Sequence, residues 1–219
     1  MTKVKSSKSL IASNVHRAYI DRRQSCIAIS GLASHAFGSW KERGDSNFMW
    51  LRDQLPIDIP YLRSIIYGYD TSLIKSQSFQ SIDDLALAFF SRLRSITGPN
   101  ARARSLVFFA HSLGGIVLKR AIAYAANSGQ AEGDVLNNVR IIFFFGVPNQ
   151  GMYMSHLLAM VGDQPNEGLV KELSKNSDYL SMLDIQFSGL AVFRATRFIS
   201  VYETKRSRTT KVPCCTKLE

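Results

Sequence analysis

Ser105-Leu-Val-Phe-Phe-Ala-His-Ser-Leu-Gly-Gly115 is the stretch that decides the fold. An apolar run of β-branched and aromatic type, Leu106–Ala110, stops at a serine set among small residues, and a helical pattern begins at once at Leu113. This is the layout of a nucleophile elbow, in which a tight strand-to-helix turn lifts a serine hydroxyl above a parallel sheet. The candidate nucleophile is Ser112. The turn crowds its flanks, so the positions two before and two after must be small. They are Ala110 and Gly114, which gives G-x-S-x-G with Ala in place of the first Gly. A plainer reading competes: Ser is a good N-cap, and Ser112 can simply open a helix.

The chain has 219 residues, of which 46% are hydrophobic, enough for one substantial core. One α/β domain over residues 25–204 is expected, between a basic N-terminal extension (1–24) and a basic tail (205–219). The longest apolar runs, Ile141–Val147 and Leu85–Phe90, are too short to span a bilayer. No apolar segment of signal-peptide type follows the basic start. Cys26, Cys214 and Cys215 do not make a disulfide framework, so a reducing, intracellular compartment such as the cytoplasm is expected.

The net charge of +10 sits largely at the ends. Residues 1–20 hold Lys3, Lys5, Lys8 and Arg17 without an acid, and the tail holds Lys205, Arg206, Arg208, Lys211 and Lys217 against Glu219. Basic ends can dock on nucleic acid or anionic lipid. No aromatic residues alternate with the basic ones as a base-stacking platform requires, so no nucleic-acid partner is expected. The acid-free, serine-containing start also resembles a mitochondrial transit segment.

Short apolar runs alternate with helical patterns, which predicts βαβ units and a mostly parallel sheet. Strands are predicted at Cys26–Ser30, Arg63–Tyr69, Leu106–Ala110, Val139–Phe145 and Phe198–Glu203. A helix is predicted over Ser81–Ser95, opened by Ser81 with Asp84 as a capping box, with Ile82, Leu85, Phe89 and Leu93 on one face and Gly98-Pro99-Asn100 as its stop. The helix after the elbow is predicted over Leu113–Ala126, with Ile116, Ala121 and Tyr124 facing inward. Between Gly151 and Val192 lies an irregular stretch with helical pieces. Its Met152, Met154, Leu157, Leu158 and Met160 line a pocket or pack that stretch onto the sheet.

A serine hydrolase needs a nucleophile, a His base, an acid to orient it and donors for the oxyanion. The backbone N–H of Leu113 follows the nucleophile. A second donor is expected from the loop after the first core strand, Ser30-Gly31-Leu32-Ala33-Ser34-His35, with Leu32 as the candidate. Glu203, at the tip of the last strand, is the candidate acid, and Asp163 is a second candidate. The base is the weak point. The four histidines are His16, His35, His111 and His156, and none follows Glu203, whereas the usual chain order is Ser, acid, His. His111 adjoins Ser112 and is expected to point away from its hydroxyl. His156 is the fallback base, with His35 beside it. No P-loop and no metal-ligand constellation is present, so no metal is expected, and the chemistry needs no cofactor.

Seven blocks now occur in a familiar order: Gly31–Trp40, Phe48–Pro56, Tyr67–Thr71, Ala110–Gly115, Phe145–Gly151, Met160–Asn166 and Tyr202–Thr204. Together they resemble the serine-active-site, lipase-like α/β-hydrolase domains of the domain-of-unknown-function 676 type. That group includes N-terminal domains of fungal nucleotide-binding immune-receptor-like and ankyrin-repeat proteins. The resemblance implies an α/β-hydrolase fold, a mostly parallel sheet with flanking helices, and Ser112 as nucleophile. It also implies an acyl ester or lipid substrate and peripheral contact with mitochondrial or endoplasmic reticulum membranes. It supports Leu32 and Leu113 as oxyanion donors and Glu203 as the acid.

This chain departs from the family at three places. The first loop begins Ser30-Gly31 where the family has His-Gly, and Gly146-Val-Pro-Asn149 stands where Gly-Thr-Pro-His is common. Residues 208–219 resemble no part of the family, which continues into a last strand and a loop carrying His. The expectation is therefore a C-terminally truncated fold and an impaired serine esterase. The alternative is a non-catalytic signalling or partner-binding module.

Overall fold

The computed structural model describes residues 24–42, 47–97, 104–190 and 196–202. Five strands form one parallel sheet in the order β2-β1-β3-β4-β5. They are β1 (Gln24–Ile29), β2 (Arg63–Tyr67), β3 (Ser105–His111), β4 (Val139–Phe145) and β5 (Arg197–Val201). The chain steps outward from β1 to β2 and then returns to the other side of β1. The order therefore reverses between β1 and β3, and the crevice at their C-terminal ends is the topological switch point.

Eight helices cover the sheet among the described residues. They are α1 (Trp50–Asp53), α2 (Leu55–Asp58), α3 (Ile82–Thr97), α4 (Leu113–Asn127), α5 (Gln130–Leu136), α6 (Ser155–Val161), α7 (Glu167–Glu172) and α8 (Asp178–Ser188). The inner strands β1, β3 and β4 are buried and mostly apolar because both faces are covered, whereas the edge strands β2 and β5 are partly exposed. Ile27, Ile29, Phe108, Ile142 and Phe144 point into the larger core, against α3, α4 and α8. Cys26, Ala28, Val107, Phe109 and Phe143 point the other way, into a smaller core with Trp40, Met49, Leu51 and Leu55. Period-two alternation along each strand thus feeds two cores from one sheet.

The predicted elements correspond to observed ones, with shifted ends. β1 stops at Ile29 rather than Ser30, and β2 at Tyr67 rather than Tyr69. Both residues leave the ladder to meet each other: Tyr69 donates its hydroxyl to the Ser30 carbonyl at 2.9 Å. The capping box forms as read, with Ser81 N–H donating to Asp84 Oδ2 at 2.9 Å and Asp84 N–H to Ser81 Oγ at 3.2 Å. Ile82, Leu85, Phe89 and Leu93 are buried together. The helix runs on to Thr97, and its expected stop at 98–100 lies outside the described residues.

Tyr124 is a correction. It was expected to face inward, yet it is 37% exposed and sets its ring edge-on to Phe90, with centroids 5.9 Å apart. Ala121, Ile122, Ala123 and Ala125 take the buried positions of that helix turn instead. Up to Leu190, the stretch predicted as irregular from Gly151 to Val192 resolves into α6, α7 and α8, and its last two residues lie outside the described ones. Buried Lys119 of α4 secures the last of these: Nζ pairs with Asp184 Oδ1 at 2.9 Å and lies 5.0 Å from the Phe187 ring centroid. A buried ammonium is tolerated because it is paired and stacked. No helix among the described residues is long and apolar enough to cross a membrane.

Candidate active site

Ser112 stands at the C-terminal end of β3, in the turn into α4. Its backbone adopts φ 51°, ψ −124°, a conformation that L-residues rarely take, and its side chain makes no cap hydrogen bond to α4. A helix-capping serine has an extended backbone and gives its oxygen to the first turn. Ser112 does neither, so the plain N-cap reading fails. Strain of this kind costs about 1–3 kcal/mol and persists only where the surroundings over-determine it.

The surroundings do so from three sides. Ser112 N–H donates to Phe145 O at 2.9 Å, and Gly115 N–H donates to Ser112 O at 2.9 Å. Gly31 lies against the serine, where an added Cβ would come 2.7 Å from Ser112 Cβ. Gly114 lies against the end of β1, where a Cβ would fall 2.4 Å from Ser30 O and 2.8 Å from Ile29 O. Ala110 is fully buried and sits in register with Ile29 and Phe144. The two small positions predicted around the serine are thus small because strands approach there.

Ser112, Leu32 and Leu113 line one cavity of about 80 Å³, walled otherwise by Met152, Met154, Leu157 and Leu173. Leu113 is the first residue of α4, where a helix N–H has no intrahelical acceptor. No backbone carbonyl among the described residues receives the N–H of Leu32 or of Leu113. Met152, Met154 and Leu157 belong to the pocket wall. Pro148, from the block after β4, joins them.

The other expected site residues stand apart. His35 is exposed, and its Nδ1 accepts the N–H groups of Phe37 (3.2 Å) and Gly38 (3.3 Å), so it caps the 3₁₀ turn Gly38–Trp40. His156 is exposed in the first turn of α6 and does not line the cavity, although its neighbour Leu157 does. Asp163 is exposed at φ 62° in the turn after α6. His111 precedes the elbow, with its Nδ1 on the Gly31 side. Among the described residues no imidazole hydrogen-bonds to Ser112 Oγ. His16, Glu203, Cys214 and Cys215 lie outside the described residues. β5 ends at Val201, whose carbonyl accepts Gly146 N–H at 2.8 Å, so the chain leaves β5 at the sheet edge where Ser112 stands. No group of three or more His, Cys, Asp or Glu that could hold a metal occurs among the described residues.

Sequence reading missed the residues that hold the cavity's outer wall. The loop after β2 is tied to α6–α7 by three side chains. Gln164 Oε1 accepts Ser76 N–H at 3.3 Å, buried Asn166 Nδ2 donates to the carbonyls of Ser72 and Leu73 at 3.0 Å each, and Glu172 Oε2 accepts Ile82 N–H at 3.2 Å. Each pair is about 90 residues apart, so no local pattern announces it.

Glu172 makes this tie pH-dependent. Burial pushes its carboxyl above the usual glutamate range and the nearby carboxylates of Asp83 and Asp84 add to the rise, while the Ile82 N–H pulls the other way. The folded protein therefore holds the Glu172 proton to higher pH than the unfolded chain, and stability falls as pH rises through that window. Glu172→Gln keeps the acceptor oxygen and removes the ionisation. In urea unfolding, the variant is expected to gain on the parent at pH 8, with the gain fading toward pH 4. An equal difference at both pH values would sink the argument.

A parallel sheet with a strained serine at the switch point defines the class: this is an α/β-hydrolase fold. Solved structures of similar architecture include the phospholipase PlaB of Legionella pneumophila, with a TM-score of 0.59 at 16% identity, over 85% of this chain and 40% of that one. The mature lipase BlEst2 of Bacillus licheniformis gives 0.54 at 14% identity, over 82% of this chain and 65% of that one. In sequence the chain is similar to Protein SERAC1 of Bos taurus and of Homo sapiens, 28% identical over 195 residues, or 81% of this chain. The chain spans about 30% of the length of those relatives. No protein-family model matches.

Proposed function

We propose that this chain is a serine-hydrolase domain that cleaves acyl esters. Ser112 Oγ attacks the ester carbonyl, forming a C–O bond to the enzyme as the alcohol C–O bond breaks. The serine proton passes through a base to the departing alcohol, and water then releases the acid and restores the serine. The N–H groups of Leu32 and Leu113 hold the oxyanion of the tetrahedral intermediate. Glu203, just beyond β5, is the acid of this reading. The observation that carries the proposal is the strained, uncapped Ser112 opening into an apolar cavity beside two uncommitted N–H groups.

An acyl ester or a lipid is the substrate class of this reading. The lipase and phospholipase neighbours support this, as does the sequence likeness to lipase-like domains. Ile74, Phe79 and Tyr153 are strongly exposed apolar side chains in the loop after β2 and in the segment before α6, on a protein of net charge +10. Such a surface fits peripheral contact with an anionic membrane, and the likeness points to mitochondrial or endoplasmic reticulum membranes.

One observation favours a second reading. No imidazole reaches Ser112 among the described residues, as in a non-catalytic domain that binds a partner, the role expected of the fungal signalling proteins it resembles. A fluorophosphonate probe separates the two, because it reacts only with an activated serine. Labelling of the purified protein, together with release of acid from a soluble ester, is the expected outcome, at a low rate. A folded protein that neither labels nor hydrolyses would establish the non-catalytic reading.

A further inference from the structure

The cavity at Ser112 adjoins a second and much larger one. The inner cavity has about 80 Å³ and is walled by Met152, Met154, Leu157 and Leu173. The outer has about 450 Å³ and opens to solvent between Ser34, Thr71, Ser72, Ile74 and Met160. Ala33 and Leu73 line both, so Leu73, itself buried, is the partition between them. The outer volume lies within the roughly 300–1,000 Å³ of ordinary ligand pockets, and the inner falls well short. An apolar cavity of roughly 150 Å³ takes a six-carbon benzene ring, so the inner cavity, at about 80 Å³, takes about three or four carbons.

The outer cavity is also largely apolar, through Ala33, Leu73, Ile74 and Met160, and adds the hydroxyls of Ser34, Thr71 and Ser72. The inner wall is thioether and aliphatic. In the outer cavity, Ser34 Oγ donates its proton to Gly31 O at 2.6 Å and Thr71 Oγ1 donates to Ser34 O at 3.1 Å. Thr71 Oγ1 also accepts Ser34 N–H at 3.4 Å, so with their protons spent on carbonyls the two hydroxyls each keep one further acceptor lone pair or more for a group that enters. A ligand group that donates, such as a polyhydroxy alcohol, is the complement.

Resting on the assignment of Ser112 as nucleophile, we propose that the site divides its ester unequally: a short acyl group of about four carbons or fewer enters the inner cavity, and a hydroxylated alcohol occupies the outer, with Leu73 setting the limit between them. Long acyl chains are excluded from the inner cavity because the turn between α6 and α7 is tied to the Leu73 loop by Gln164 and Asn166, and α7 to the start of α3 by Glu172.

The test compares glyceryl monobutyrate with glyceryl monooctanoate, both below their aggregation limits. The parent is expected to favour the butyrate at least tenfold in kcat/KM. Leu73→Ala, which joins the cavities, is expected to bring the ratio below threefold. Leu157→Trp, on the more exposed side of the wall, is expected to suppress the butyrate relative to the monoacetate and serves if Leu73→Ala does not fold. Octanoate preferred by the parent, or a ratio moved by neither variant, overturns the inference. Loss of the nucleophile reading is seen separately, as no hydrolysis and no fluorophosphonate labelling. In that event, calorimetric binding of the same two esters to Ser112→Ala decides the size limit: tighter binding of the butyrate upholds it, and equal or no binding overturns it.

Discussion

Replacing Ser112 is expected to split activity from stability, and the direction of the split depends on the replacement. Ser112→Ala removes the nucleophile, and fluorophosphonate labelling and ester hydrolysis are expected to fall to background. Where a triad is complete, such a loss amounts to about 10⁶-fold in kcat. Alanine keeps a Cβ at φ 51°, ψ −124°, so the strain remains and the stability is expected to change by less than about 0.5 kcal/mol. Ser112→Gly is equally inactive but is free to adopt that conformation. Relief of about 1–3 kcal/mol, set against about 0.5–1 kcal/mol of added backbone entropy in the unfolded chain, leaves a net gain. Denaturant unfolding of the three proteins reads this directly. A glycine variant no more stable than the alanine variant would mean the elbow stores no strain.

The second large effect is expected at Gly114. A methyl group there would fall 2.4 Å from Ser30 O and 2.8 Å from Ile29 O, both backbone atoms at the end of the central strand. Neither can rotate aside, so Gly114→Ala must push α4 away from β1. Overpacking of this sort costs about 1–3 kcal/mol, which in a domain of this size lowers Tm by very roughly 2–10 °C. The same shift moves Leu113, the first residue of α4, away from Leu32, so labelling of Ser112 is expected to drop with the stability. Gly115→Ala supplies the contrast. Its methyl group would meet the side chain of Val147, 2.2 Å from Cγ2, and Val147 is only partly buried and can turn. A smaller loss is expected at Gly115 than at Gly114. The reverse order in thermal melts would show that α4 is free to move and Val147 is not.

Much of the fold was legible because its signals are local. Leu106–Ala110 is apolar at every position and Val139–Phe145 at every position but Arg140, as suits strands covered on both faces, and both were found close to their observed bounds. The capping box of Ser81 and Asp84 lies within four residues and forms as read. The pairing of Leu32 with Leu113 beside Ser112 followed from where such a fold places its first loop, and the three do share a cavity.

The reading lost ground where one residue had two plausible partners. His35 carried no mark to separate a cap from a base; the bend of the chain at Phe37 and Gly38 gave its Nδ1 to their N–H groups. Tyr124 fitted the inward periodicity of α4, but the buried positions around it are taken by Ala121, Ile122, Ala123 and Ala125. Gln164 and Asn166, though within the block Met160–Asn166, and Glu172 were given no role because their partners lie some 90 residues earlier in the chain.

The sequence alone determined the alternation of apolar runs and helices, and with it a mostly parallel sheet with a serine at a tight strand-to-helix turn. These depend on side-chain period and on residue size within a few positions. Tertiary structure decided that Ser112 is strained rather than capping, that its cavity is small, and that a larger one lies beyond Leu73. Those properties arise where Gly31, Phe145 and the loop after β2 converge on the elbow. The separation of such segments in sequence carries no information about the distance between them in space.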